Sequence, residues 1–354
     1  MNDGLPYRRI LISRLRFIGD VVLTTPMIAS VRAALPGAFI AYLGEKRAVS
    51  LLEHNPSLDE VIPYDFDRSS VREQIRIAFL LRRMKFDLAI DLFSNPRSAL
   101  LMFLSGAPAR VGLDRKGRGK LFTVRVRCDG TSRTAIEFHN QFLRAVGITP
   151  VSVKTHIELT DGERQEGKAL ILRACGSRGM HHPLIGIHPG ASWPAKKWDA
   201  ERYGQLGKRL VSELGASVIA TAGPGEANLL IEVNAAAGGA VMMLPVMPVR
   251  QLAAVLSLCD VYVSNDAGPM HIATAVNTPT IGLFGPGEED IWFPYDAADG
   301  HRALRKNVPC HPCHLDVCNR EGAGYMECMK LLSTDDVFSA VESSLQARGS
   351  RSFR

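Results

Sequence analysis

The stretch RILISRLRFIGD, residues 9–20, decides how the chain is read. Its first five residues form a short aliphatic run with the character of a buried strand. After Gly19-Asp20, Val22, Pro26, Ile28, Ala29 and Val31 recur at helix-like spacing over residues 21–35. The same alternation continues downstream. Residues 38–43, 61–64 and 88–92 read as strands, and residues 47–54, 70–85 and 96–104 as helices. Helix 70–85 is basic and amphipathic, with Ile75, Phe79, Leu80 and Met84 assigned to its buried stripe. Strands alternating with helices predict a parallel sheet covered on both faces. A helix at 131–147, a strand at 155–159 and a helix at 162–174 follow, and the Gly-, Ser-, Arg- and His-rich loop 175–183 is the expected domain boundary.

Beyond that loop the pattern restarts. Strands at 184–188, 217–222, 241–244, 261–264 and 280–284 alternate with helices at 200–214, 226–237, 249–258 and 269–276. Ser333-Thr334-Asp335-Asp336 is a good N-cap for a last helix over 333–346. The expected fold is therefore α/β, with two Rossmann-like domains whose parallel sheets face a central cleft. Their bounds are 1–175 and 183–330, with a C-terminal helix, 331–348, packing back on the first domain.

Composition narrows the function classes. The chain has 354 residues, 46% of them hydrophobic, which excludes a disordered chain and suits two domains. No apolar run approaches the ~20 residues of a membrane span. Ile10-Leu11-Ile12, set among Arg8, Arg9, Arg14 and Arg16, is too short for a secretory core, so a cytosolic location is expected. Forty-two Lys+Arg against 36 Asp+Glu give a charge of +6, compatible with nucleic acid, an anionic membrane surface or a phosphorylated substrate. Cys310, Cys313, Cys318 and Cys328 crowd one segment beside His311 and His314. In a cytosolic setting such thiols are reduced or metal-bound rather than paired. Their spacing is loose for structural zinc, iron–sulfur ligation is a second option, and the plainer reading is a packed, reduced cysteine loop without metal.

Three strand-to-helix loops carry chemistry. In residues 13–20, Asp20 is either a helix N-cap or a general base that takes a proton from a hydroxyl nucleophile. In residues 188–198, Gly190 to Ser192 offer backbone N–H groups to a phosphate and Lys196 a point charge, unless the loop is simply solvated. In residues 264–271, the N-terminus of the following helix is a diphosphate site, or else an ordinary turn with Asp266 as cap and His271 in the core. Gly223-Pro224-Gly225-Glu226 offers Glu226 to a ribose hydroxyl, but Asn228 replaces the last glycine of a dinucleotide fingerprint. Asp65-Phe66-Asp67 matches a D-x-D pattern on the first domain, away from the expected nucleotide half, and is assigned no metal.

Between residues 109 and 127, Arg110, Arg115, Lys116, Arg118, Lys120, Arg125 and Arg127 face only Asp114. This run reads as a site for an anionic acceptor or an anionic leaflet, or as a solvated loop. Few aromatics interleave it, which argues against single-stranded nucleic acid.

Taken in order, these segments resemble glycosyltransferase family 9, the ADP-heptose:lipopolysaccharide heptosyltransferases. Gly19-Asp20 matches the family's opening. Trp193-Pro194-Ala195-Lys196-Lys197-Trp198 matches its P-x-A-K-[RK]-W stretch, except that Pro and Ala adjoin. Residues 265–274 match N-D-[ST]-G-x-x-H-x-A-A, with Ala267 in place of the hydroxyl residue and Thr274 in place of the second alanine. Pro309-Cys310 and Pro312-Cys313 resemble one branch of the family.

The resemblance implies a GT-B architecture, with acceptor on the first domain and nucleotide-sugar on the second. It implies inverting transfer of heptose from ADP-heptose to an inner-core lipopolysaccharide, without a required metal or other cofactor. Asp20 matches the base; Lys196, Ser192, Glu226, Asp266, Ala267, Gly268 and His271 fall to the donor. Arg14, Arg16, Arg115, Lys116, Arg118 and Lys120 fall to an anionic glycolipid acceptor at the cytoplasmic face of the inner membrane. A relative using another nucleotide-sugar, or a non-catalytic nucleotide- or metal-binding protein on the same scaffold, are the alternatives.

Overall fold

Aliphatic runs buried on both faces build two six-stranded parallel sheets, one in each of two units, Met1–Glu158 and Leu159–Arg354. The structure, a computed structural model, describes residues 5–65, 70–115, 117–127, 130 and 133–349. No helix among the described residues is long and apolar enough to cross a membrane.

The first unit contains β1 (Arg9–Arg14), α1 (Ile18–Val22), α2 (Thr25–Ala34), β2 (Phe39–Glu45), α3 (Lys46–Val49), β3 (Glu60–Tyr64) and α4 (Val71–Arg83). It continues with β4 (Leu88–Asp91), α5 (Pro96–Leu104), β5 (Ala109–Leu113), β6 (Val124–Val126) and α6 (Ala135–Arg144). The strand order is β3-β2-β1-β4-β5-β6. The chain therefore leaves β1 in one direction and returns to its other side at β4, where Ser13 pairs with Asp91 in register. Loops after β1 and β4 diverge at this point, the place where open parallel sheets bind ligands.

The second unit contains α7 (Asp161–Cys175), β7 (Leu184–His188), α8 (Ala200–Leu214), β8 (Ser217–Ala220), α9 (Ala227–Ala236), β9 (Met242–Met243) and α10 (Val249–Leu256). Then come β10 (Val261–Asn265), α11 (Gly268–Ala275), β11 (Thr280–Leu283), α12 (Glu289–Trp292), β12 (Arg302–Leu304), α13 (Glu327–Lys330) and α14 (Thr334–Gly349). Its order, β12-β11-β10-β7-β8-β9, repeats the first topology, so its switch point lies between β7 and β10.

Several expectations change. The helix expected over 21–35 breaks at Leu23-Thr24, where Pro26 enters the first turn of α2. Residues 155–159 bury alternate side chains, Thr155, Ile157 and Leu159, yet form no strand. Their segment instead runs along α2, with His156 N–H bonded to Thr25 Oγ1 at 3.0 Å and Val151 N–H to Ser30 Oγ at 3.0 Å. On α4 the buried residues are Ile77 and Leu81, whereas Ile75 and Phe79 are exposed. At about 100° per residue the two pairs lie on opposite sides of the helix, and only the first meets the sheet. The short strands β5, β6 and β12 escape the sequence reading.

The unit boundary falls before α7, not after it. This helix packs on α10 and buries Ile171 and Cys175 with Leu184 and Val255. Arg250 of α10, largely buried, forms an ion pair with Glu163, whose carboxyl is held down at about 2 against the opposing pull of burial. The last helix, expected on the first domain, sinks Val337, Phe338 and Val341 into the core of its own unit because its apolar stripe meets α8.

Two glycines of α7 should respond oppositely to alanine. A Cβ on Gly167 would stand 2.9 Å from the Ala254 carbonyl carbon of α10, while on Gly162 its nearest neighbour is Thr160 Oγ1 at 3.9 Å. Gly167→Ala should destabilise the second unit by about 1–3 kcal/mol through overpacking. Gly162→Ala should leave it unchanged or stabilise it by about 0.5–1 kcal/mol. Thermal melts of both variants check this.

Candidate active site

In the first unit, the loop after β1 turns Asp20 back onto its own chain. Asp20 sits three residues into α1's first turn and is mostly buried; Oδ2 accepts the Phe17 N–H at 2.8 Å. It is thus neither the N-cap nor a solvated carboxylate. Its Oδ1 meets the Arg14 guanidinium at 2.6 Å, with both side chains largely shielded. Arg14 also donates to the Leu92 carbonyl at 3.0 Å and lies over the Phe93 ring at 5.2 Å. The guanidinium therefore fixes the carboxylate against the end of β4. Each oxygen uses one of its two lone pairs on these donors, leaving one for a hydroxyl proton.

A second carboxyl stands at this switch point, and the sequence reading missed it. Asp91, the last residue of β4, accepts the Ser94 N–H at 2.9 Å and the Ser98 hydroxyl at 2.7 Å. Burial nevertheless raises its pKa to about 6. It shapes the turn into α5, whose Ser94 Oγ in turn receives the Leu113 N–H at 2.9 Å. An acid at the carboxyl end of a parallel strand is a legible signal, which residues 88–92 display.

The expected acceptor cations separate. Arg14 is committed to Asp20, and Arg16 places its guanidinium 5.7 Å from the exposed Phe17 ring. Arg115 and Lys120 are exposed, Arg118 is half-buried, and Lys116 lies outside the described residues. Part of the surrounding basic run is structural: Arg110 donates to the Leu121 and Ala107 carbonyls, and Arg127 pairs with Asp114 at 3.2 Å.

In the second unit, Asn265 at the end of β10 assembles the site. Its Oδ1 accepts the Trp198 N–H at 3.1 Å and the Tyr203 hydroxyl at 3.2 Å; its Nδ2 donates to the Pro189 carbonyl at 2.9 Å and the Gly190 carbonyl at 3.3 Å. One buried amide thus pins both ends of loop 189–198. Within that loop Lys196 reaches Asp266 at 2.5 Å and lies 4.6 Å from the Trp193 ring centre. Ser192 is exposed, and Trp198 is core, its Nε1 donating to the Leu332 carbonyl at 2.9 Å.

Ala267 precedes α11 in extended conformation and offers no side-chain cap, so the start of α11, at Gly268, keeps its dipole end uncovered by a hydroxyl. His271 is buried, its Nδ1 2.6 Å from the Tyr295 hydroxyl, a partner not singled out in the sequence. Glu226 receives the Gly223 N–H at 2.8 Å and leans on the first loop, where a Cβ at Gly190 would fall 2.0 Å from its Oε2. Only glycine admits the carboxylate there. Beneath it His188, buried, has its pKa lowered to about 4 by burial and so is neutral at pH 7. Lys196, Asp266 and Gly268 therefore stand at the β7–β10 switch point, with Glu226 against Gly190 of loop 189–198, while His271 lies further along α11 against Tyr295. They offer a cation and a helix start to an anion, and carboxylates to hydroxyl donors.

The cysteine segment braces these loops. The Asp316 carbonyl accepts the Ala195 N–H at 3.0 Å, the His314 N–H reaches the Pro286 carbonyl at 3.0 Å, and His311 Nδ1 lies 2.9 Å from the Gly285 carbonyl. Cys175, Cys259, Cys310, Cys313, Cys318 and Cys328 carry free thiols, and no three His, Cys, Asp or Glu side chains gather as a metal group among the described residues. Cys318 is shifted down by the Met326 N–H, while burial pushes the Cys328 thiol up. Phe66 and Asp67 of the D-x-D match lie outside the described residues.

The chain is similar in sequence and in fold to known proteins. Lipopolysaccharide heptosyltransferase 2 of Salmonella typhimurium is 26% identical over 302 residues, 81% of this chain and 85% of that protein. A family 9 glycosyl transferase from Veillonella parvula superposes with a TM-score of 0.82 at 25% identity, over 97% of this chain and 98% of that one. An Escherichia coli heptosyltransferase solved with ADP-2-deoxy-2-fluoro heptose gives 0.71 at 18% identity, over 95% and 99% of the two chains. Residues 75–323 match the sequence profile of glycosyltransferase family 9 (heptosyltransferase), more than half of the chain, and the protein belongs to that family.

Proposed function

We propose that the protein is an inverting, metal-independent glycosyltransferase of GT-B type that moves heptose from ADP-heptose to an inner-core lipopolysaccharide acceptor. Its place would be the cytoplasmic side of the inner membrane, as a peripheral protein. The observation that carries the reading is the second unit's switch point, where Lys196, Glu226 and the uncapped start of α11 converge. The names of the relatives, heptosyltransferases of lipopolysaccharide and one solved with an ADP-heptose analogue, support the sugar and the nucleotide.

In this scheme Asp20 accepts the proton of the acceptor hydroxyl as its oxygen attacks the anomeric carbon. Attack comes from the face opposite ADP, so the configuration inverts through an oxocarbenium-like transition state. Arg14 and the Phe17 N–H hold the carboxylate in one orientation, which spares reorganisation during the transfer. On the second unit, the diphosphate takes over the Lys196 ammonium now matched by Asp266. The α11 start offers backbone N–H groups to the charge that grows as the bond to the sugar breaks. Glu226 receives ribose hydroxyls, and Arg115, Arg118 and Lys120 receive acceptor anions.

Asp20→Asn should lower kcat by about 10²–10⁴-fold. ADP affinity, followed by calorimetry, should remain that of the parent; near-parent turnover would remove the base assignment. Lys196→Met should cost roughly 10²–10³-fold in kcat/KM and weaken ADP as well, because both ground and transition states lose a cation. Turnover measured by ADP release should persist in excess chelator, and a strict divalent-ion requirement would contradict the electrostatic scheme.

A further inference from the structure

Helix α4 keeps apolar residues on two sides. Ile77 and Leu81 face the sheet, while Val71, Ile75 and Phe79 are 71%, 49% and 66% exposed. Spaced four residues apart, these three form one stripe along the helix. Helix α5, packed beside α4, exposes Leu100, Phe103 and Leu104 as well. Lone exposed apolar residues need no explanation, but two adjacent helices presenting stripes form a patch of the kind that marks an interaction surface.

Charge says which partner fits. On α4, Arg72 and Arg83 follow the edge of the stripe and Arg82 falls within its arc; Arg76, on the same edge, is paired with Glu73, the helix's sole acid. Arg110 lies over the Phe103 ring at 5.5 Å, and the turn Arg118–Leu121, which packs on α5, brings Lys120 alongside. A second copy of the chain would bring the same arginines face to face in a symmetric pair, an arrangement that like charge opposes. An anionic bilayer surface satisfies both features, since its phosphates take the guanidinium groups and its acyl boundary takes the apolar stripe.

We propose that the outer face of α4 and α5 docks the first unit on a bilayer rich in anionic phospholipid. Helix α4 lies in the plane of the interface; Val71, Ile75 and Phe79 enter the acyl boundary while the arginines snorkel to the headgroups. This deepens the function proposed above, because a glycolipid acceptor is delivered at a bilayer, but its test needs no turnover.

The test is co-sedimentation of the full chain with phosphatidylcholine vesicles prepared with and without phosphatidylglycerol. Binding should require phosphatidylglycerol and fall with salt. Ile75→Ser/Phe79→Ser should weaken it by at least roughly tenfold, from the lost burial of two large side chains. Arg72→Gln/Arg83→Gln should weaken binding while reducing its salt dependence. These residues are exposed, so melting temperature and ADP affinity should stay at parent values. The proposal is overturned if the parent ignores anionic vesicles or if the double serine variant sediments like the parent. It is equally overturned if the parent is a dimer that this variant converts to monomer. Failed sedimentation with normal ADP binding removes only the docking surface. Absence of ADP-heptose turnover with a detergent-dispersed acceptor removes the function above instead.

Discussion

A single carboxamide organises the switch-point loops of the second unit. Asn265 is fully buried and uses every hydrogen-bonding valence of its side chain, two as donor and two as acceptor. Each of those groups, left alone in the core, would carry a desolvation cost of about 1–3 kcal/mol. The loop after β7 therefore has one conformation in which the ledger of polar groups is complete. In that conformation Lys196 stands beside Asp266. Position along the sequence is immaterial to this logic: partners nearly eighty residues apart meet because β7 and β10 are neighbours at a topological switch.

The first unit solves the same problem with charge instead of an amide. Arg14 spans from Asp20 to the backbone of β4, and Asp91 secures the following turn from beneath. The two carboxyls differ in their surroundings. Asp20 has a guanidinium as partner, whereas Asp91 has hydroxyl and amide donors and a pKa pushed up by burial. The guanidinium holds the Asp20 carboxylate in one orientation, whereas Asp91, buried and bonded to Ser94 and Ser98, holds the turn that follows β4.

Much of the fold was legible because strands such as β7 and helices such as α5 and α8 carry strong periodicity and clear ends. Pro96 begins α5, and Gly215 in a left-handed conformation ends α8. What was not legible depended on partners. Helix α4 carries apolar residues at helical spacing on two sides, and spacing does not say which of them the sheet will cover. Residues 155–159 have strand alternation but meet a helix rather than a sheet edge. The loop after helix α7 suggests a boundary there, although Gly167 and Ile171 are shaped for α10. At the site, residue types at strand ends were readable. Arg14 reads as a substrate contact because no local pattern reveals a partner six residues away in its own loop.

The cysteine segment touches loop 189–198 through the Asp316 carbonyl, and the turn after β11 through the His314 amide and the His311 imidazole. Two of these three contacts are main-chain groups, so the strut transmits shape more than side-chain chemistry. Its length and path are constrained at every anchor, its residue types only where a side chain such as His311 makes the contact, so insertions should be rarer here among relatives than replacements. A brace of this kind lets a lineage recompose its thiols while the loops it props keep their course.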